Sequence, residues 1–360
     1  MRALIAEAGG WVPFDVFMHH ALYAPNWGYY ATPRRLIGPG FGDGSDFVTA
    51  PELSPVFAQT LARAVAAWMA HTGVDEIWEF GAGRGVLARD VLKALDALGC
   101  GPRQGRVRRY VIVEVSGALR GVQSDTLSEY SSVVEWAEAW PEHLRAVVLG
   151  NEVLDAMPVQ LLCRSAGQWF ERGVSMQGDA LVWVDRPTEL RPPTPIPGEH
   201  DYLTEIHPQA HAWVQDLGRR LTHGVVALFD YGFPEAEYYH PQRSGGTVMC
   251  HQGHLSDPHP LEAVGEKDIT AHVDFTGIAL AAQDAGLAVV GYTSQGSFLL
   301  DAGLVDVLPQ ASAAQQAAAL KLIHEHEMGE LFKVIVLAPE ASAADVPAMG
   351  FVRGDRTHTL

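Results

Sequence analysis

Three glycines in the stretch "WEFGAGRGVL", Gly81, Gly83 and Gly85, stand between an apolar run and an amphipathic one. Residues without a Cβ at that spacing make a tight strand-to-helix turn, and such turns let the backbone approach a nucleotide-like ligand. Glu79 lies just before the first of them, where a carboxylate repels a pyrophosphate and attracts a cation. The GxGxG spacing also departs from GxGxxG, whose third glycine lets a helix dipole face a pyrophosphate. Glu114 closes the next apolar strand, a position where a carboxylate accepts both ribose hydroxyls in dinucleotide and adenosyl sites alike. A ligand with a ribose, a cationic centre and no phosphate is S-adenosylmethionine, which these residues favour over NAD.

A second constellation is "GNEVLDAMPV", with Asn151, Glu152 and Asp155 at the end of a third apolar run. Carboxylates three apart on a turn project to the same side. Two of them suit a guanidinium, which presents its donors in a planar fork. Alternatively Asn151 and Asp155 cap the following helix, and both roles can coexist. "FDYGFP" adds Asp230 and Tyr231, placed to fix a substrate or orient a carboxylate, and "DITAHVDF" adds His272 and Asp274. A lone histidine is more often a hydrogen-bonded structural residue than a base. The Gly/Asp/Pro loop "GDGSDFVTAPELS" reads as a lid over the cofactor, with Thr49 and Glu52 facing it, or as helix capping. His251, His254 and His259 sit in a Pro/Gly loop without carboxylate support, and His324 and His326 on a solvated helix; no metal is expected.

These groups need a scaffold. Ser54 to His71 reads as a helix with Ser54 as N-cap and Pro55 at its first position. "DEIWEF", "RRYVIVEVS" and "RAVVLGNEVLDAMP" read as strands with "GVLARDVLKALDAL" as an intervening helix, the pattern of an α/β fold with a doubly wound parallel sheet. Ligands in such sheets sit beyond the carboxyl ends of the strands, where Glu79, Glu114, Asn151 and Glu152 fall. After Pro158 short alternating runs predict an inserted antiparallel meander, followed by a Pro-rich connector and a helix from Leu203 to Leu221. The parallel pattern returns at "GVVALFDYG", then a helix near Phe275 to Ala285, a strand "AVVGYTS", a helix from Ala311 to His326 and a strand "FKVIVLA". The expected division is an N-terminal helical and lid segment (1–72), a cofactor domain (73–158 and 222–340), an inserted subdomain (159–221) and a tail (341–360).

Over 360 residues, 48% are apolar and 19% charged, the mixture of a packed globular protein. The net charge of −18 disfavours nucleic acid or anionic membrane as partner and permits a cationic one. Cys100, Cys163 and Cys250 form no CxxC, which suggests neither a disulfide framework nor a thiolate zinc site. The opening "MRALIAEAGGWVPFD" reads as neither a secretory signal nor a transit peptide, so a cytoplasmic location is expected.

Taken in order, "ALYAPNWGYY", "DFVTAPELSPVFAQTLA", "EFGAGRGVLARDVL", "GNEVLDAMPV", "LFDYGFP", "GEKDITAHVDF" and "GELFKVIVLAP" resemble a methyltransferase family. It is the one that includes the mitochondrial protein-arginine methyltransferase required for respiratory complex I assembly, together with bacterial relatives. The resemblance runs from Phe17 to Pro339. It implies a class I (Rossmann-like) methyltransferase fold with a final antiparallel strand, and methyl transfer from S-adenosylmethionine to arginine in a protein substrate, such as a respiratory complex subunit. Combined with the clustering at strand ends, it assigns catalysis to Glu152, Asp155 and Asn151. Substrate binding falls to Asp230, Tyr231, His272 and Asp274, and cofactor binding to Glu79, Gly81, Gly83, Gly85, Glu114, Thr49 and Glu52. A non-catalytic S-adenosylmethionine-binding assembly factor would keep the glycine turn and Glu114 but need no carboxylates at Glu152 and Asp155. An NAD-dependent dehydrogenase is disfavoured by Glu79 and the glycine spacing.

Overall fold

In the computed structural model the described residues are 1–32, 46 and 48–360. Part of the expected lid, residues 42–45 and Phe47, lies outside them. The chain begins with the helices Arg2–Glu7 and Phe14–Tyr23 on either side of a short strand, β1 (Trp11–Pro13). The helix Pro55–Thr72 starts where Ser54 Oγ accepts from the Val56 N–H and ends at Gly73, whose φ of 68° closes it in the left-handed conformation. Then follow β2 (Glu76–Phe80), the helix Val86–Ala97, β3 (Arg109–Val113), the helix Gly117–Thr126, β4 (Val134–Ala137) and β5 (Leu144–Asn151). The strands β6 (Gln160–Ser165), β7 (Gln168–Gln177), β8 (Ala180–Pro187) and β9 (Tyr202–Ile206) precede the helix Pro208–Arg220 and β10 (Leu221–Phe233). The remainder comprises β11 (Met249–Gln252), β12 (Leu255–Asp257), β13 (Asp268–Thr270), β14 (Val273–Asp274), the helix Phe275–Asp284, β15 (Leu287–Ser294) and β16 (Phe332–Pro339).

The central sheet runs β15-β16-β10-β5-β2-β3-β4, with β14 alongside the end of β10. Strands β4, β3, β2, β5 and β10 are parallel, and β16 runs antiparallel to both β10 and β15. This is the class I methyltransferase order with its reversed last strand. All five residues of β2 are buried, as expected of a parallel strand covered on both faces. The helices Pro55–Thr72 and Val86–Ala97 pack on one face through Leu61, Val65, Leu87 and Val91 against Ile77, Val147 and Leu149. The helices Pro208–Arg220 and Phe275–Asp284 cover the other through Val214, Leu217 and Ile278 against Trp78, Val148 and Val226. From β2 the chain works outward one way through β3 and β4, and from β5 the other way. The sheet's switch point, where ligands bind beyond the carboxyl ends, therefore lies between β2 and β5.

Three expectations are corrected. Residues Leu203 to Ile206 are not helical: β9 pairs antiparallel with β6, and the helix starts only at Pro208. Proline at the first helical position forces the residue before it out of the helical region, so the helix cannot extend backwards. The histidine-bearing stretch read as a loop forms the hairpin β11–β12, pairing Gln252 with Leu255. Its two turn residues, Gly253 and His254, have φ of 57° and 61°, the geometry of the tight primed turns that favour hairpins. Third, the N-terminal segment is not only helical, since β1 extends the inserted sheet by pairing with β7. At the other end Phe351 of the expected tail is buried against Phe298. Among the described residues no helix is long and apolar enough to cross a membrane.

Candidate active site

The turn after β2 takes the conformation its glycines permit: φ is 66° at Gly81, 51° at Gly83 and 80° at Gly85. At Gly81 a Cβ would stand 2.9 Å from Val153 Cγ2, so only glycine lets this turn lie against the chain leaving β5. Arg84 reaches Glu52 at 3.6 Å and ties the turn to the short helix Ala50–Leu53, which Thr49 begins through its carbonyl and not its side chain. Glu79 was placed by its sequence position at the mouth of the turn. Its carboxyl instead accepts from the Tyr110 hydroxyl of β3 at 2.7 Å, buried within the sheet, and burial pushes it up to about 7.

Glu114 follows β3 and is anchored on both oxygens: Oε1 accepts from the Ser116 N–H at 2.8 Å and Oε2 from Gln123 Nε2 at 3.2 Å. The same Gln123 nitrogen donates to the Gly83 carbonyl at 2.9 Å, and its oxygen accepts from Trp136 Nε1 at 2.8 Å. Fully buried, Gln123 locks the glycine turn and Glu114 into one unit. Sequence reasoning missed it, because a single glutamine on an amphipathic helix carries no signal of its partners.

At the end of β5 the chain turns sharply. Glu152 has φ of 54°, a left-handed conformation that costs a side-chain-bearing residue ~1–3 kcal/mol and persists mainly at functional sites. Asp230 of β10, fully buried, holds the turn: Oδ2 accepts from the N–H groups of Val153, Leu154 and Asp155 at 3.1, 2.9 and 3.2 Å. Its Oδ1 accepts from the Tyr231 N–H at 2.9 Å. Burial and its neighbours Asp155 and Glu152 push the Asp230 carboxyl well up, while these backbone donors pull it towards ionisation. No helix follows Asp155, so neither it nor Asn151 is a helix cap; the capping is done from β10.

Around this turn three further carboxyls converge. Asn151 Nδ2 donates to Glu152 Oε1 at 3.0 Å, and the Tyr231 hydroxyl donates to Asp155 Oδ2 at 2.5 Å. The third is Asp268 of β13, buried, which accepts from the Tyr30 hydroxyl at 2.9 Å. Burial, reinforced by the Asp155 charge, pushes Glu152 and Asp268 each up to about 8, and burial raises Asp155 to about 6. Two buried acceptors here, Asn151 Oδ1 and Asp155 Oδ1, have no hydrogen-bond partner among the described residues, and buried oxygens of that kind call for a donor. The site therefore offers two acceptor oxygens to a ligand that brings donors.

Protonated buried carboxyls have a consequence for stability. Between about pH 4.5 and pH 8 the folded chain holds protons on Glu152 and Asp268 that the unfolded chain has released, so stability falls as pH rises through that window. The ligand-free protein should therefore melt at a lower temperature at pH 8.5 than at pH 6, and Glu152→Gln should flatten that slope in differential scanning fluorimetry. An unchanged slope in the variant would show that Glu152 is ionised throughout.

The other substrate-side expectations divide. Tyr231 is in the cluster. His272 stands behind it, its ring 5.2 Å from those of Tyr231 and Phe233; burial, with Arg243 and Lys333 adding, lowers it to about 4 and keeps it neutral. Asp274 is the N-cap of the helix Phe275–Asp284, accepting from the Gly277 N–H at 3.2 Å, and burial pushes it up to about 7. Among the described residues no three histidine, cysteine or carboxylate side chains converge as metal ligands.

A doubly wound sheet with a reversed last strand, and a glycine turn and a carboxylate at the ends of its central strands, is the arrangement of the class I methyltransferases. The chain matches the family model of S-adenosyl-L-methionine-dependent methyltransferases over residues 60–293, and it belongs to that family. It is 45% identical to a Burkholderia thailandensis protein solved with S-adenosyl-homocysteine bound, with a TM-score of 0.92 over 100% of this chain and 95% of that one. It is 29% identical to the Drosophila melanogaster protein arginine methyltransferase NDUFAF7 homolog, mitochondrial, over 98% of this chain and 87% of that protein. With human protein arginine methyltransferase NDUFAF7, mitochondrial, the identity is 28% over 90% of this chain and 79% of that protein. The protein is a methyltransferase, and its cofactor is S-adenosylmethionine.

Proposed function

We propose that the enzyme methylates arginine side chains of a protein substrate, with Glu152, Asp155 and Asn151 as its catalytic group. The observation that carries this reading is the buried convergence of carboxyls at the end of β5, beside two acceptor oxygens with no partner among the described residues. A guanidinium is the complement of such a site, with five donors, no acceptor and a permanent positive charge. The names of the curated relatives support the same substrate.

The residues present fit the cofactor. Gly81, Gly83 and Gly85 leave backbone open at the switch point, and Glu114 presents a carboxylate at the end of the neighbouring strand; Glu79, Thr49 and Glu52 support that side. Bound there, S-adenosylmethionine supplies a methyl group made electrophilic by its sulfonium. Glu152 and Asp155 hold the guanidinium by its non-attacking nitrogens, so that the positive charge collects there and the attacking nitrogen regains its lone pair. One of them accepts the proton that methylation makes acidic. Tyr231 fixes the Asp155 carboxyl and Asp230 fixes the turn that carries it. His272 supports the Tyr231 ring, and Asp274 is left to cap its helix.

Two variants test the cofactor half. Glu114→Ala and Gly81→Val should each cost about 1–3 kcal/mol of S-adenosylmethionine binding by calorimetry, through a lost acceptor and a blocked turn respectively. Wild-type affinity in both folded variants would move the cofactor site elsewhere. For the acceptor half, labelled S-adenosylmethionine is added to parent-cell lysate and the modified residues are read by mass spectrometry. Methylarginine is expected; label confined to lysine or glutamine would overturn the guanidinium reading. By the sequence resemblance the target is a respiratory complex subunit. We also propose a cytoplasmic location, on three free cysteines that fit a reducing compartment; the curated relatives named above are mitochondrial.

A further inference from the structure

We propose that Asp268, positioned by Tyr30 and flanked by Tyr23, is the residue that selects arginine over lysine as methyl acceptor, an inference that rests on the arginine reading above. Glu152 and Asp155 come from a single turn, and two carboxyls side by side can be satisfied by the compact ammonium of a lysine. Asp268 comes from a different element, β13, yet packs on the same turn: just beyond it the Ala271 N–H donates to the Asp155 carbonyl at 2.9 Å, and Asp155 raises Asp268 while Asp268 raises Glu152. The groups that face it are Asp155, Glu152, Asp46, Tyr23, Tyr30 and Cys250, all acidic or neutral. A third acceptor arriving from a separate strand demands a wider cation with more donors than an ammonium's three, and a guanidinium offers five in one plane.

The aromatic neighbours add a second selection. The rings of Tyr23 and Tyr30 stack 5.6 Å apart at 21°, and their hydroxyls are committed: Tyr30 to Asp268 at 2.9 Å and Tyr23 to the Ala156 carbonyl at 2.8 Å. The second bond ties the helix Phe14–Tyr23 to the residue next to Asp155, so the N-terminal segment forms one wall of the acceptor site. Flat aromatic walls favour a planar, weakly hydrated guanidinium over a strongly hydrated ammonium. Asp268 acts on the substrate, and Tyr30 acts through Asp268.

The test follows label from methyl-labelled S-adenosylmethionine into lysate proteins, resolved into methylarginine and methyllysine after hydrolysis, with cofactor affinity measured in parallel. Asp268→Asn should bind S-adenosylmethionine as the wild type does, lose ~10-fold or more of its methylarginine label, and show a lower ratio of methylarginine to methyllysine. Tyr30→Phe, which leaves the ring in place, should lower the same ratio by a smaller factor, a change that loss of stability alone does not produce. It also keeps the test open should Asp268→Asn fail to fold. Wild-type labelling and an unchanged ratio in both variants would overturn the role of Asp268. A wild-type enzyme that labels no arginine at all would overturn the arginine reading itself, and the two failures are told apart by the wild-type arm.

Discussion

Glu152→Gln is expected to fold, to bind S-adenosylmethionine with wild-type affinity and to turn over substrate ~10²-fold or more slowly. The amide is isosteric with the carboxyl, keeps an oxygen for the Asn151 Nδ2 donor and leaves the strained backbone at φ 54° as it was. What it removes is the ability to become negative. In the free enzyme burial keeps the Glu152 carboxyl near a pKa of about 8; a bound guanidinium pulls that value down and the proton leaves. The glutamine variant can do neither that nor accept a proton after transfer. Binding should therefore survive and chemistry should not, which steady-state kinetics on the identified substrate and cofactor calorimetry separate. A glutamine variant working at the wild-type rate would make Glu152 a bystander.

The opposite outcome is expected at the neighbouring carboxyl. Asp230→Ala should destabilise the protein by about 3–5 kcal/mol, read from urea unfolding, because it orphans four backbone N–H groups that converge on one fully buried carboxyl. Two forces oppose each other here. Burying a carboxyl beside Asp155 and Glu152 is costly, and removing it relieves that repulsion. Four donors converging on two oxygens outweigh the relief, since each unpaired N–H alone costs ~1–3 kcal/mol. With Asp230 gone the turn from Glu152 to Asp155 loses its template, so activity should fall with stability. A loss below ~1 kcal/mol would mean that the turn holds itself.

These two residues show where reading from sequence succeeds and where it stops. Asp230 and Glu152 were both legible as candidates, because each sits at the end of an apolar run and strand ends collect site residues in a doubly wound sheet. Their partners were not, because spacing does not tell which atoms each carboxyl meets: Asp230 meets four backbone N–H groups, Glu152 the Asn151 amide. Asp274 and His272 share one short stretch, and their spacing does not reveal that one caps a helix while the other packs on Tyr231. Chain position places Glu79 at the mouth of the glycine turn, but its carboxyl is buried against Tyr110 of the adjacent strand, a partner that spacing does not reveal.

What this sequence determined by itself is local. The glycine spacing dictates a turn with left-handed residues; Ser54 with Pro55 starts a helix; the alternation of apolar runs with amphipathic ones dictates an α/β sheet; and Asn151, Glu152 and Asp155 share one turn. Each of these rests on dihedral preferences, caps and periodicities that act within a few residues. Tertiary structure alone decided that Asp268, Tyr23 and Tyr30 meet Asp155, that Gln123 bridges Gly83 to Glu114, and that Asp230 caps a turn in another strand. Those contacts join residues remote in the chain, and they exist because β3 lies beside β2, β10 lies beside β5 and the N-terminal helix is bound to Ala156. Burial completes the site in the same way: a carboxyl becomes a proton-holding group only when the fold removes its water, and no spacing of residues encodes that.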